Sequence, residues 1–171
     1  MQLAIGARID GATANSGAHG DVAAGVELRA AMGARWFGGA VGIGALAPTT
    51  GVFETVTVRQ QRFPASLALV MRHRLSPSFE LGAELGLALA LLTIRGENLA
   101  GGSRATRLDT GARLAVEARG PRFARGLVPF AALHAEIFPR PYVLDVDPLG
   151  QVGETHHLWI GAAAGVSLDR P

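Results

Sequence analysis

Between Phe79 and Leu91 apolar residues alternate with small or acidic ones. Phe79, Leu81, Ala83, Leu85, Leu87, Leu89 and Leu91 fall on one face, and Glu80, Gly82, Glu84, Gly86, Ala88 and Ala90 on the other. Successive side chains of a strand point to opposite sides, so a period of two predicts a β-strand with one hydrocarbon face. The same pattern recurs from Gln2 to Asp10, Asp21 to Ala31, Trp36 to Leu46, Arg62 to Arg72, Ala105 to Ala118, Leu127 to Phe138 and His157 to Leu168, making eight strands with the first. Pro64 is expected near the end of its strand, because it has no N–H for a ladder.

The connections alternate in length. Gly11–Gly20, Ala47–Gln61, Gly96–Arg104 and Pro139–His156 are long, whereas Met32–Arg35, His73–Ser78 and Arg119–Arg125 are short. Eight strands with long loops on one rim and short turns on the other predict a single all-β domain over residues 1–171. Its architecture is an antiparallel up-and-down transmembrane barrel. No apolar run approaches the ~20 residues of a membrane-spanning helix.

The non-apolar face decides between lipid and water on the outside. It consists of Gly, Ala and Ser interspersed with Arg, Asp and Glu, a poor surface for an open sheet but a suitable filling for a narrow lumen. The candidate lumen network is Arg8, Asp10, Glu27, Arg29, Arg72, Glu80, Glu84, Arg107, Asp109, Arg113, Glu117, His134 and Glu136, in which acids and bases nearly balance. No charge falls on the apolar face of any core strand, where one at the bilayer midplane would cost roughly 2–4 kcal/mol. Trp36, Phe37 and Phe79 at the short-turn end, with Phe63, Phe138 and Tyr142 at the other, suggest interfacial girdles. The short-turn arginines Arg29, Arg35, Arg72, Arg74, Arg119, Arg122 and Arg125 suit either lipid phosphates or water.

Composition narrows the partners. The formal charge is +2, arginines are dispersed and aromatic residues make up only 6%, which argues against nucleic acid. There is no cysteine, which excludes disulfides and thiol chemistry. Met1-Gln2-Leu3-Ala4 enters a strand directly, so an exported protein would be present here as its mature form, without a signal peptide.

The strand pattern, the alternating connections and the closing segment Leu158-Trp159-Ile160-Gly161-Ala162-Ala163-Ala164-Gly165-Val166-Ser167-Leu168 resemble the small outer-membrane β-barrel proteins of Gram-negative bacteria. The resemblance implies a bacterial outer-membrane location, outer-membrane lipid as the surrounding partner, and a further envelope or extracellular partner met through the long loops.

No motif demands catalysis, a cofactor or a metal. His134 and Glu136 share a strand face, close enough for a base and its orienting carboxylate, but no serine accompanies them. His156 and His157 are adjacent and therefore face opposite ways, a poor chelate; Asp145-Val146-Asp147 lacks the glycine and distal glutamate of a calcium loop. Gly38-Gly39 and Gly42-Ile43-Gly44 lie within a strand, where they are expected to make room for Arg113 or Trp159 rather than to cradle phosphate. The expected function is a non-enzymatic structural, adhesive or partner-binding membrane component. The alternatives are a lipid-modifying enzyme centred on His134 and Glu136, a soluble lipocalin-like barrel with Leu81, Leu85 and Leu89 turned inward, and a narrow channel.

Overall fold

The computed structural model describes residues 1–12, 21–34, 36–53, 56–96, 104–123, 126–146 and 150–169. Its elements are β1 (Gln2–Ala12), β2 (Val22–Gly33), β3 (Phe37–Leu46), β4 (Thr49–Phe53), β5 (Val56–Ser76), β6 (Phe79–Gly96), β7 (Arg104–Arg119), β8 (Leu127–Ile137), β9 (Val143–Val146), β10 (Gly150–Glu154) and β11 (Leu158–Asp169). Antiparallel pairing runs β1, β2, β3, β5, β6, β7, β8, β11 and back to β1, a closed ring of eight strands. Closure leaves none of the ring strands with an unpaired edge in the apolar zone.

The register fixes the size of the ring. Neighbouring partners lead from Gln2 through Ala31, Ala40, Ala68, Gly86, Arg113, Glu136 and Trp159 to Ala12, so one circuit climbs from residue 2 to residue 12 of the same strand. For eight strands that stagger corresponds to a tilt of roughly 40° and a backbone radius of about 8 Å. Side chains alone fill such a bore.

The ring strands extend beyond the sequence pattern. β5 runs back to Val56, and its first residues pair with β4, so the expected 47–61 loop is largely a hairpin rising above the barrel. β9 and β10 form a second hairpin within the expected 139–156 loop. Pro64 lies inside β5 rather than near its end. The ladder between β3 and β5 stops at Ile43–Ala65, one residue before the missing N–H, and β3 separates there. A side chain at Gly44 would sit 3.1 Å from Pro64 Cγ, while one at Gly42 would meet Ser66 at 2.8 Å. These glycines therefore make room for Pro64 and Ser66, not for Arg113 or Trp159. In the β7–β8 turn, Gly126 adopts φ 79°, a conformation that favours glycine.

The apolar face points outward on every ring strand. Leu3, Ile5, Ile9, Val26, Leu28, Leu67, Leu69, Leu114, Val116, Leu133 and Ile160 are all exposed, as are Leu81, Leu85 and Leu89. The soluble-barrel expectation, with those last three leucines inside, is overturned. A continuous apolar belt of this extent is unsustainable in water and is what a lipid-facing wall requires. Among the described residues no helix is long and apolar enough to cross a membrane; the crossing elements are strands. Trp36, Phe37, Phe79 and Phe123 are exposed at the short-turn rim. Phe138, expected in a girdle, is instead buried with Trp159, Ala88 and Ala90.

Candidate functional site

Because the apolar residues face out, their strand neighbours line an enclosed interior. It is layered. Ala31, Ala40 and Val70 pack together toward the short turns, and Ala88, Ala90, Phe138 and Trp159 pack toward the long connections.

The charged centre is built from β1 and β8. Arg8 and Asp10 are two apart on β1, so both turn inward, and the guanidinium grips the carboxylate in a fork of 2.8 and 2.7 Å. Asp10 also accepts from Arg62 Nη1 at 2.9 Å and meets His134 Nε2 at 2.9 Å. Arg8 reaches Glu27 at 2.9 Å and Glu136 at 2.8 Å. Glu136 further accepts from Arg113 at 2.6 Å and from Arg62. Asp10 and Glu136 are almost wholly buried, at 0% and 1% exposure. Carboxylates so placed are tolerable because guanidinium groups replace the water they have lost.

A second set continues toward the short turns. Arg29 lies between Glu84 and Glu117, with the Glu117 contact at 2.6 Å. Arg119 bonds Glu80 at 3.1 Å, Asp169 at 2.6 Å and Ser167 Oγ at 2.9 Å. Arg72 donates to Gln2 Oε1 at 3.0 Å and approaches Glu80 at 3.7 Å. Arg113 links the two sets through Glu27 at 3.7 Å and Glu84 at 3.9 Å.

Two expected network members stand apart. Arg107 is exposed, with its guanidinium 5.7 Å from the Tyr142 ring centre. It shares its face with Asp109, and both lie beyond Ala112, where the pairing of β7 with β8 begins, Asp109 by three residues and Arg107 by five. Asp109 is buried, yet its Oδ1 has no hydrogen-bond partner. Conversely, Arg62 and Arg119 belong to the network although neither is among its expected members, Arg62 being the first residue of its expected strand and Arg119 the first of the expected 119–125 connection. Parity with Pro64 and Glu117 would have found them, since each lies two residues from an inward position.

Several finer expectations are corrected. Glu136 does not orient His134. The histidine pairs with Asp10 across the β1–β8 gap, and β11 crosses there with Gly161, where a Cβ would lie 2.5 Å from His134 Nε2. Gly161→Val is expected to destabilise the protein by about 1–3 kcal/mol through overpacking, read from urea unfolding in lipid vesicles. Arg29, Arg72 and Arg119 turn into the barrel rather than toward lipid phosphates. Arg74 donates to Pro77 O at 3.2 Å and Arg122 stays exposed near Asp169; Arg35 and Arg125 lie outside the described residues.

At the long-connection end, Arg62 is flanked by aromatic faces, 4.6 Å from Trp159 and 5.2 Å from Phe138. His156 meets Trp159 edge-on at 5.5 Å and Asp21 at 3.4 Å, whereas His157 turns to Phe138 O at 3.2 Å. Among the described residues no group of three or more His, Asp or Glu side chains is arranged to hold a metal. The Asp145 and Asp147 side chains lie outside the described residues.

A closed eight-stranded wall, apolar without and lined by polar and charged side chains within, defines a transmembrane β-barrel of the small kind. Its structural neighbours are outer-membrane barrel proteins. The chain is similar to neisserial surface protein A, with a TM-score of 0.63 at 12% identity, covering 99% of this chain and 96% of that one. It is similar also to Ail, the attachment invasion locus protein of Yersinia pestis, at TM-score 0.60 and 12% identity over 97% and 94% of the two chains. A third neighbour is the N-terminal β-barrel domain of Pseudomonas aeruginosa OprF, at TM-score 0.54 and 14% identity over 98% and 97%. No protein-family model and no curated sequence matches the chain.

Proposed function

We propose that the protein is a non-enzymatic component of a bacterial outer membrane, a single barrel domain whose wall sits in lipid. It would serve a structural, adhesive or partner-binding role through the connections at the long-loop end. The observation that carries this reading is the contrast between the two faces of one sheet. The belt of exposed leucine, isoleucine and valine suits acyl chains, and the ion pairs centred on Arg8, Asp10 and Glu136 would fill the bore and oppose free passage of solutes. His134, held by Asp10 on the enclosed face, is turned away from any lipid substrate, which counts against the enzyme alternative. The hairpins β4–β5 and β9–β10 carry paired backbone beyond the eight-stranded ring at the long-loop end. Among the neighbours, Ail has been crystallised with the heparin analogue sucrose octasulfate.

Adherence of cells displaying the protein to laminin, fibronectin and immobilised heparin tests the partner-binding role. The full chain is expected to raise adherence to at least one of these surfaces several-fold over cells without it. Trimming both hairpins should abolish the gain while the barrel still shifts its gel mobility on boiling. Equal adherence with and without the protein on all three surfaces would leave only the structural role.

A further inference from the structure

The short-turn mouth of the lumen holds a cavity of about 330 Å³, at the lower end of the size range of small-ligand sites. Its polar lining comes from around the ring: Gln2 of β1, Arg72 of β5, Glu80 of β6, Arg119 of β7 and Asp169 of β11, with Arg122 from the β7–β8 turn.

The donors here are short of acceptors. Gln2 is only 7% exposed, and its Oε1 accepts from Arg72 Nη2 at 3.0 Å, which fixes the amide and leaves Nε2 without a partner. Arg119 Nε also lacks an acceptor; Glu117 stands 3.7 Å away and is already held by Arg29 at 2.6 Å. Arg122 Nη2 lies 3.6 Å from Asp169, beyond hydrogen-bond length. A buried donor left unmade costs free energy, so such groups mark where a partner is missing. The one orphaned carboxylate oxygen among the described buried side chains, Asp109 Oδ1, belongs to the other end of β7. An oxyanion seated in the cavity would supply what this end lacks.

Charge narrows the oxyanion. In the lining, Arg72, Arg119 and Arg122 face Glu80 and Asp169, an excess of one positive charge. Residues 35, 124–125 and 170–171, outside the described residues, include no Asp or Glu, so they bring no further acidic side chain to this balance. A dianion would be opposed by the two carboxylates, whereas a single negative charge completes the set. Ala31 and Met32 add an apolar margin, which suits a charge carried on a small apolar body.

We infer that this cavity binds a carboxylate, that of a small organic acid or of a peptide's carboxyl terminus, through the N–H donors of Arg72, Arg122 and Gln2. Guanidinium groups meet a carboxylate with paired donors, which gives such a site its preference for planar oxyanions. The short turns of outer-membrane barrels face the periplasm, so the ligand's side of the membrane rests on the placement proposed above, while the site itself does not.

The test uses the full chain folded in detergent micelles, with the Gln2 side-chain amide followed by nitrogen-15 NMR. N-acetyl-alanyl-alanine is expected to shift that signal saturably, and its carboxyl-terminal amide should bind about tenfold more weakly. Arg122→Gln, at an exposed position, should weaken binding several-fold. Glu80→Gln removes a competing carboxylate and should tighten it, an effect that a merely structural rim would not give. Arg107→Gln, toward the opposite end, should leave it unchanged. Acetate binding as well as the peptide would identify a free small acid as the source, and weaker acetate binding a peptide terminus. Absence of a saturable shift, equal binding of acid and amide, or unchanged affinity in Arg122→Gln overturns the assignment. Tighter binding of inorganic phosphate overturns it in favour of a phosphate site. Failure to insert into lipid vesicles would remove the periplasmic placement and leave the binding result standing.

Discussion

Glu136→Gln is expected to lower the stability of the barrel by about 3–5 kcal/mol, the cost of breaking a buried charge network by removing one partner. Arg8, Arg62 and Arg113 all donate to this one carboxylate. The amide keeps the shape and loses the charge, so three guanidinium groups lose their shared counter-ion while out of reach of bulk water. Urea unfolding in lipid vesicles measures the loss. The companion variant Glu80→Gln should cost about 1 kcal/mol or less, because its side chain is 28% exposed at the rim, where water screens the pair with Arg119. Equal effects at the two positions would mean that the interior is wet. Combining Glu136→Gln with Arg113→Gln should cost less than the sum of the two, since the pair fails together.

Leu85→Arg carries the second large effect. Leu85 is 61% exposed at the middle of the apolar run, and its register partners Leu69 and Leu114 are exposed beside it. A guanidinium there would face hydrocarbon, with an expected penalty of roughly 2–4 kcal/mol, whereas Thr93→Arg near the rim should cost roughly 0–1 kcal/mol. Unfolding of both variants in phosphatidylcholine vesicles compares them directly. An exposed leucine in water would tolerate the change to within about 0.5 kcal/mol, so a negligible effect at Leu85 would remove lipid from the outside of this wall.

Much of this was legible because a strand has a period of two. The two faces of β6 could be separated residue by residue, and Glu84 could be assigned to the side away from Leu85 without any knowledge of its neighbours. The period is less informative at strand ends. Arg62 is the first residue of its expected strand, two before Pro64, and nothing in the alternation singles it out as a network member, although it bonds both Asp10 and Glu136. Arg107 shows the reverse failure. Its parity agrees with Asp109, but parity says nothing of how far a residue stands beyond the neighbouring strand, and Arg107 lies five residues past the end of the β8 pairing against three for the buried Asp109.

Sequence by itself determined the number of ring strands, which face of each is apolar, and that the charges gather on the other. These follow from local backbone geometry, which every residue carries with it. Only the tertiary structure decided who meets whom. The stagger of ten residues per circuit, from Gln2 to Ala12, brings Arg8 of β1 to Glu136 of β8, and Arg29 of β2 to Glu117 of β7. Such partners are 128 and 88 residues apart in the chain. Their meeting depends on closure and shear, properties of the whole ring that no single segment encodes.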